Sequence, residues 1–108
     1  MWWGGHLLTD IYRAIADPIR RRILTILSQK ECTQTELVDH FPISQPAVKK
    51  HLTILLEEEL IEERREGKYR LYRLKQDNFA VHYKKLQEEI GLILEDKLTK
   101  LKNYLEED

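Results

Sequence analysis

The stretch TQTELVDHFPISQPAVKKHLTILL, residues 33–56, constrains the fold more than any other part of the chain. It has the pattern of two short helices separated by a tight break. The first helix carries its apolar side chains at Leu37, Val38 and Phe41. Pro42 then interrupts the pattern, and Ser44 is expected to cap the second helix, with Pro46 in the first turn, where a missing N–H costs nothing. The segment therefore predicts a helix-turn-helix.

The second of these helices is expected to have two unlike faces. Val48, Leu52 and Leu55 recur at i, i+4 and i+7, which places them on one buried stripe. The opposite face and the N-terminal end carry Gln45, Pro46, Lys49, Lys50 and Thr53. A helix with one apolar face and an opposite face that carries amide and basic side chains can lie in the major groove of DNA. An ordinary helical hairpin whose lysines face water is the alternative for this segment alone.

The segment that follows is predicted to form a basic β-hairpin over about residues 61–74. Glu66-Gly67 stands between two extended runs, and Gly67 can adopt the positive φ that a tight turn needs. Residues 64–73 contain five basic side chains and one acidic side chain. Such a ribbon is typical of a wing that contacts phosphates or the minor groove. The alternative is a solvated hairpin with cross-strand Arg–Glu pairs. Together, the helix-turn-helix and the hairpin favour a DNA-binding winged helix.

Two more helices are predicted before this unit, over residues 7–16 and 19–28. Asp17 is expected to cap the second of them, with Pro18 in its first turn. Its core stripe is Ile19, Ile23, Leu24 and Leu27. The run of arginines at 20–22 is expected to be a solvated face, with added phosphate contacts as the alternative. Thr33 and Glu36 have the spacing of a capping box for the next helix.

A long final helix is predicted from its cap at Asp77 to about Glu106. Its apolar positions recur in steps near four and three for about 30 residues, close to a heptad pattern. A winged helix of this size cannot cover so long an apolar face. We therefore expect a homodimer that packs the first and last helices against their copies. The residues expected in that interface are Leu8, Ile11, Leu94, Leu98, Leu101 and Leu105.

Composition is consistent with one small domain over residues 1–108. The formal net charge is only −1, but residues 44–75 sum to +2 and residues 76–108 to −3, so positive charge is concentrated at the predicted DNA-binding unit. One cysteine excludes a disulfide framework and suits a reducing compartment, which predicts a cytoplasmic protein. The chain has no apolar run that approaches a membrane span. We find no nucleophile–base spacing and no phosphate-binding loop, so we do not expect an enzyme.

The order of these elements resembles the ArsR family of bacterial winged-helix repressors. The resemblance covers about residues 7–107, and its specific parts are ADPIRRRIL, TELVDHFPISQPAVKKHL, LIEERREGKYRLYRL and LTKLKNYLEE. It implies a homodimer that binds double-stranded DNA at a palindromic operator and represses transcription. The family's DNA-contacting positions correspond here to Ser44, Gln45, Lys49, Lys50, His51, Arg65 and Lys68. By helical phase His51 lies nearer the buried side, so it either supports the helix or touches a base.

The chain departs from the metal-sensing members of the family. Where those members have a Cys-x-Cys chelate, this chain has Thr33 and Thr35, and Cys32 stands one residue too early. A single thiolate cannot form a soft-metal chelate unaided. The other common site needs a histidine pair that the last helix lacks, because His82 has no second histidine after it. We therefore predict no metal and no cofactor, as in the metal-free branch of the family. Pro42 is a further departure, since a left-handed glycine or asparagine is usual there.

Two alternatives to a repressor remain open at this level, and the sequence identifies no inducer. One is a protein-interaction module that uses the winged helix and the acidic tail, although Lys49, Lys50 and the basic wing argue against it. The other is a redox-responsive regulator in which Cys32 is oxidised or pairs across a dimer. Cys32 could equally be a small buried apolar side chain.

Overall fold

The predicted winged helix-turn-helix, mainly α with a small β-component, is confirmed. The computed structural model describes residues 10–106. The elements follow in the order α1 (Ile11–Ile15), α2 (Pro18–Gln29), β1 (Cys32–Thr33), α3 (Gln34–Val38), α4 (Gln45–Glu57), β2 (Ile61–Glu66), β3 (Tyr69–Leu74) and α5 (Gln76–Glu106). The part of the predicted first helix before residue 10, which includes Leu8, lies outside the described residues.

The helices begin at side chains that satisfy their free N–H groups. Asp17 accepts hydrogen bonds from the N–H groups at the start of α2, and Thr33 forms a complete capping box with Glu36 at α3. Ser44 accepts from Ala47 N–H at α4, as predicted. The prediction that Asp77 caps α5 is wrong. The helix begins one residue earlier, so Asp77 lies in the first turn, where its negative charge is favourable beside the helix dipole.

The sheet has three antiparallel strands in the order β1-β3-β2, whereas the sequence predicted two. The hairpin pairs Ile61 with Leu74 at its base and Glu66 with Tyr69 at its tip. Gly67 in the turn has φ 63°, the conformation for which glycine is suited. The added strand, β1, pairs Cys32 with Tyr72 and Thr33 with Leu71. The wing is therefore bonded through β3 to the residue that caps the helix-turn-helix.

The turn between α3 and α4 accommodates Pro42 without a left-handed residue. His40 N–H donates to Leu37 O and Phe41 N–H to Val38 O, each at 3.1 Å, so α3 ends in tight i→i−3 turns. Among the described residues, positive φ occurs at Gly67 and at one non-glycine residue, Glu59. The turn therefore lacks the left-handed residue that is usual there, because proline cannot adopt a positive φ.

Helix α4 ends in a Schellman motif with an unusual residue at its left-handed position. Leu60 N–H donates to Leu55 O at 3.1 Å, and Glu59 N–H donates to Leu56 O at 3.0 Å. Glu59, with φ 56°, occupies the place that glycine normally takes. Leu60 and Leu55 are both buried, which supplies the apolar contact that accompanies the motif. The direction of the chain into the wing is thus determined at the end of α4.

One apolar core lies between α1–α4 and the sheet. Its buried side chains are Ile11, Ala14, Ile23, Leu24, Leu27, Cys32, Leu37, Val48, Leu52, Leu55, Leu60, Ile61 and Tyr72. Phe79 and Leu86 on the first half of α5 pack against this core, but no residue of α5 is buried. In the part of the chain that the structure describes, no helix is both long and apolar enough to cross a membrane.

Candidate DNA-binding surface

Helix α4 presents the two faces that the sequence predicted. Val48, Leu52 and Leu55 are at most 1% exposed and fix the helix to the core. The side chains predicted to contact DNA from this helix are exposed, with one exception: Ser44, Gln45, Lys49, Lys50 and Thr53 face solvent, and His51 does not. Neither Lys49 nor Lys50 forms an ion pair within residues 10–106, so both charges are available to a ligand.

Two of the exposed hydroxyl groups already have one hydrogen-bond role. Ser44 Oγ accepts from the backbone N–H of Ala47 at 3.3 Å, which leaves its O–H as a donor. Thr53 Oγ1 donates to Lys49 O at 3.0 Å, which leaves its oxygen as an acceptor and its methyl group exposed. Thr53 can therefore only accept a hydrogen bond from a nucleic acid, whereas Ser44 can donate one and still has a second lone pair.

His51 lies on the supporting side of α4. Its side chain is 19% exposed, its Nδ1 is 3.0 Å from Arg20 Nη1, and the same nitrogen is 4.0 Å from Asp17 Oδ1. Burial alone would raise the pKa of Asp17, but hydrogen bonds from the backbone N–H groups of Ile19 and Arg20, together with favourable charge interactions with neighbouring side chains, offset it, and the pKa is lowered. The interpretation of Arg20 as a solvated side chain is therefore wrong, because its guanidinium faces the protein.

Three wing arginines are engaged in ion pairs. Arg73 Nε is 2.5 Å from Glu62 and Arg70 is 3.7 Å from Glu63, across the two strands of the hairpin. Arg64 is 3.2 Å from Glu31, on the segment before β1. The cross-strand pairing that the sequence left as an alternative is thus present for part of the wing, and it neutralises much of the positive charge there.

The two cations at the tip of the wing differ from those three. Arg65 and Lys68 are exposed and, among the described residues, neither is ion-paired. Lys68 Nζ lies over the ring of Tyr69, 5.4 Å from its centroid, a cation–π contact that leaves the ammonium open to water. The net charge available to a polyanion is therefore concentrated at the tip, on the two residues that the resemblance singled out.

The residues expected in a dimer interface fall into three groups. Leu94, Leu98, Leu101 and Leu105 are 53–69% exposed on α5. Ile11 is buried in the core of its own subunit, so its side chain has little surface left for a partner. Leu8 lies outside the described residues. Of the two elements expected to meet their copies, α1 exposes Tyr12 at 41%, whereas α5 exposes a whole row of leucines that nothing within residues 10–106 covers.

Neither metal chemistry nor thiol chemistry has an evident site. Within residues 10–106, no group of three or more histidine, cysteine, aspartate or glutamate side chains could hold a metal ion. Cys32 is fully buried, and burial raises the pKa of its thiol, which disfavours the reactive thiolate. The buried position agrees with the apolar role for Cys32 and gives no support to the redox alternative.

Sequence reasoning missed a set of polar contacts between α1 and α4. Glu58, at the end of α4, is the one buried charged side chain in the described part of the chain. Its Oε2 accepts from Asp10 N–H at 3.0 Å, and its Oε1 is 3.8 Å from Arg13 Nη1. The partners are more than 40 positions apart in the sequence, so no local pattern could have revealed them.

Comparison with known proteins agrees with this geometry. Residues 17–63 match the family described as "Bacterial regulatory protein, arsR family". The chain is 37% identical over 67 residues to the transcriptional repressor SdpR of Bacillus subtilis, covering 62% of this chain and 74% of that protein. It is 36% identical over 67 residues to the arsenical resistance operon repressor of Staphylococcus xylosus, covering 62% of this chain and 64% of that one.

Solved structures give the same result for the whole fold. An ArsR-like transcriptional regulator from Rhodococcus sp. RHA1 superposes with a TM-score of 0.71 at 27% identity, over 96% of this chain and 94% of that one. NolR from Sinorhizobium fredii superposes with a TM-score of 0.61 at 28% identity, over 75% and 81%. The two repressors and the Rhodococcus protein are transcriptional regulators and not enzymes. The chain belongs to the ArsR family of bacterial regulatory proteins and is a DNA-binding transcriptional regulator.

Proposed function

We propose that this protein is a homodimeric repressor that binds a palindromic operator and that residues 1–108 act as a single winged-helix DNA-binding domain. The observation that carries the dimer is α5, which has 31 residues and none buried. Exposed apolar patches of this extent in globular proteins mark interaction sites. Its apolar residues are flanked by charges of both signs, such as the Lys100–Asp96 pair at 3.2 Å. Mixed charge permits a surface to be complementary to itself under a two-fold axis.

Helix α4 is the element that we assign to the major groove. Gln45 and Lys49 lie one turn apart near its N-terminal end, the part of a recognition helix that reaches base edges. Glutamine reads adenine through a bidentate amide contact, and lysine donates to guanine O6 and N7. Lys50 and the O–H of Ser44 are assigned to phosphates, and the Thr53 methyl group to a thymine methyl group. His51 is left out of the base contacts because of its contact with Arg20.

The tip of the wing is assigned to the DNA backbone or to the adjacent minor groove. Within the described part of the chain, Arg65 and Lys68 have no ion pair to break before they bind DNA, whereas Arg64, Arg70 and Arg73 would have to give up a carboxylate. With only these two unpaired cations in each wing, we expect one subunit to bind DNA with moderate affinity and two subunits together to bind it tightly. Such a regulator acts where bacterial DNA is, in the cytoplasm.

Selection of bound sequences from random DNA, combined with sedimentation, tests this function. We expect an inverted repeat whose half-sites are centred about one helical turn, ~34–36 Å, apart, since two copies of α4 must enter successive major grooves. We also expect the free protein to sediment as a dimer at micromolar concentration. A single unrepeated half-site, or a stable monomer that binds the full site, would contradict the proposal.

A further inference from the structure

Arg20 connects three elements around the recognition helix. From its place on α2, its Nε donates to Ala14 O at 3.0 Å and its Nη2 donates to Arg13 O at 2.9 Å. These carbonyls lie at the end of α1, where a helix leaves its last C=O groups without partners. Its third group, Nη1, lies 3.0 Å from His51 Nδ1 on α4. One planar guanidinium thus joins α1, α2 and α4.

The contact with His51 places the guanidinium of Arg20 against one nitrogen of the imidazole ring. A guanidinium has donors and no acceptor, so Arg20 can bond to Nδ1 only if that nitrogen carries a lone pair. With Arg20 donating to Nδ1, the ring orientation of His51 on α4 is fixed by a residue of α2.

A second polar anchor ties α1 to the far end of α4. Arg13 Nη2 is 3.1 Å from Glu57 Oε1, and Glu58 accepts from the N–H of Asp10. The apolar stripe of α4 keeps the helix on the core, but apolar contacts are non-directional and leave rotation about the helix axis weakly determined. Hydrogen bonds near the middle and at the end of α4 add the directional restraint that the stripe lacks.

We propose that Arg20 is a positioning residue for operator recognition, which acts through His51 to set the rotation of α4 and thereby the direction of Gln45 and Lys49. The proposal rests on the proposed binding of an operator by α4. We assign Arg20 no direct contact with DNA, because its Nε, Nη1 and Nη2 all face groups of its own subunit. Loss of the restraint would reduce discrimination between sequences, because base contacts depend on orientation while phosphate contacts tolerate small rotations.

The test compares Arg20→Gln with Arg22→Gln, which removes the same charge two positions away on the same helix. Arg22 is exposed and has no partner among the described residues, so it is a matched control. Affinity for the selected operator and for random DNA is measured for each variant over a range of salt concentrations. Sedimentation and thermal unfolding show whether each variant is folded and assembled.

For Arg20→Gln we expect affinity for the operator to fall about tenfold, equivalent to ~1.4 kcal/mol, with affinity for random DNA changed less than about twofold. The slope of log K against log salt should equal that of the wild type, because no phosphate contact is lost. Arg22→Gln should leave the ratio of operator to random-DNA affinity unchanged. A slope that becomes shallower by about one unit in Arg20→Gln would make Arg20 a phosphate ligand and overturn the proposal.

Three further variants separate positioning from simple destabilisation. Arg20→Lys keeps the charge but cannot bridge three acceptors, so it should lose discrimination between operator and random DNA, as Arg20→Gln does. If Arg20→Lys keeps the full discrimination of the wild type, the proposal is overturned. This outcome decides the question even if Arg20→Gln does not fold. His51→Ala and the double variant Arg20→Gln/His51→Ala should lose the same discrimination as Arg20→Gln alone, whereas additive losses would show that the two residues act separately.

A measurement without DNA makes failure of this inference distinguishable from failure of the proposed function. The ¹⁵N chemical shifts of His51 in the wild-type protein should show an unprotonated Nδ1 and a protonated Nε2, and this preference should be lost in Arg20→Gln. A protonated Nδ1 in the wild type refutes the contact on which the inference depends. If the wild-type protein selects no DNA sequence, the proposed function itself is refuted. If the wild type selects an operator but Arg20→Gln behaves as Arg22→Gln does, only the inference about Arg20 is refuted.

Discussion

Helices α4 and α5 have similar apolar patterns and opposite environments. Leu52 on α4 is 1% exposed, whereas Leu98 on α5 is 63% exposed. Both stripes recur at helical spacing, so both predict a face that must be covered. The stripe of α4 is covered by its own chain. The C-terminal half of α5 extends beyond the core, in a molecule 69 Å long and 22 Å across its shortest axis.

The difference shows what periodicity can and cannot predict. A stripe indicates that an apolar face exists and which residues form it. Whether the same chain covers that face depends on helix length and on the size of the rest of the domain. After Leu86 the core provides nothing for α5 to pack on. The two helices can therefore be distinguished by experiments that separate stability within a subunit from stability between subunits.

The largest effect is expected from Leu98→Glu. A charge in the middle of the α5 stripe should prevent association, and two half-sites could then no longer be bound at once. We expect operator affinity to fall about a thousandfold, ~4 kcal/mol, while each subunit keeps its helical circular dichroism spectrum. Sedimentation should show monomers. A Leu98→Glu protein that remains dimeric would move the interface away from this stripe.

A matched pair of alanine variants compares the two helices directly. Leu52→Ala creates a cavity in the core and should lower the free energy of unfolding by ~2–5 kcal/mol. Leu98→Ala removes a side chain that is 63% exposed among residues 10–106, so its cost should depend on protein concentration. Chemical denaturation at two concentrations separates these cases. An equal, concentration-independent loss for both variants would show that α5 is covered within the subunit.

Gln45→Ala tests the exposed face of α4. We expect a loss of ~1–3 kcal/mol on the selected operator and relaxed preference at one position in each half-site, because an amide–base contact is removed. Lys68→Gln on the wing serves as the control, since loss of a phosphate contact should weaken all sequences and make the salt dependence shallower. Equal weakening of operator and random DNA by Gln45→Ala would place Gln45 on the backbone instead.

Gly91 lies in the middle of α5, where its role depends on the partner. Among the residues that the structure describes, a Cβ at this position would meet nothing within 4 Å. Gly91→Ala should therefore stabilise the protein by about 1 kcal/mol through higher helix propensity. Thermal unfolding measures the change. A destabilised or less strongly associated variant would indicate that another backbone crosses α5 closely at this glycine.

Glu59 allows a similar test of backbone conformation at the end of α4. A non-glycine residue in the left-handed region costs roughly 1–2 kcal/mol, and glycine avoids that cost but makes the unfolded chain more flexible. We expect Glu59→Gly to raise the free energy of unfolding by about 0.5 kcal/mol. Glu59→Ala, which keeps the strain, is the control and should show no gain. A gain of the same size in both variants would point to charge and not to backbone conformation.

The features that the sequence predicted correctly depend on neighbours in the chain. Ser44, Thr33 and Asp17 cap helices through atoms two or three residues away, and the turn at Gly67 needs only its own φ. The features that it missed depend on distant partners. Strand β1 has two residues, too few for any period, and pairs with residues about 40 positions later. The period of α2 places Arg20 on the side of the core stripe and Arg22 on the opposite side, but only the fold brings His51 to Arg20.

The pairing of Cys32 with Tyr72 has a consequence for how the protein assembles. It closes a loop that contains the whole helix-turn-helix, and Tyr72 Oη also lies 3.4 Å from Gln34 Oε1 at the start of α3. Closing a loop of this length costs chain entropy before its contacts form, so the step is slow compared with helix formation. During synthesis α3 and α4 emerge before β3. The DNA-reading unit therefore reaches its final form only after the wing that follows it has been made.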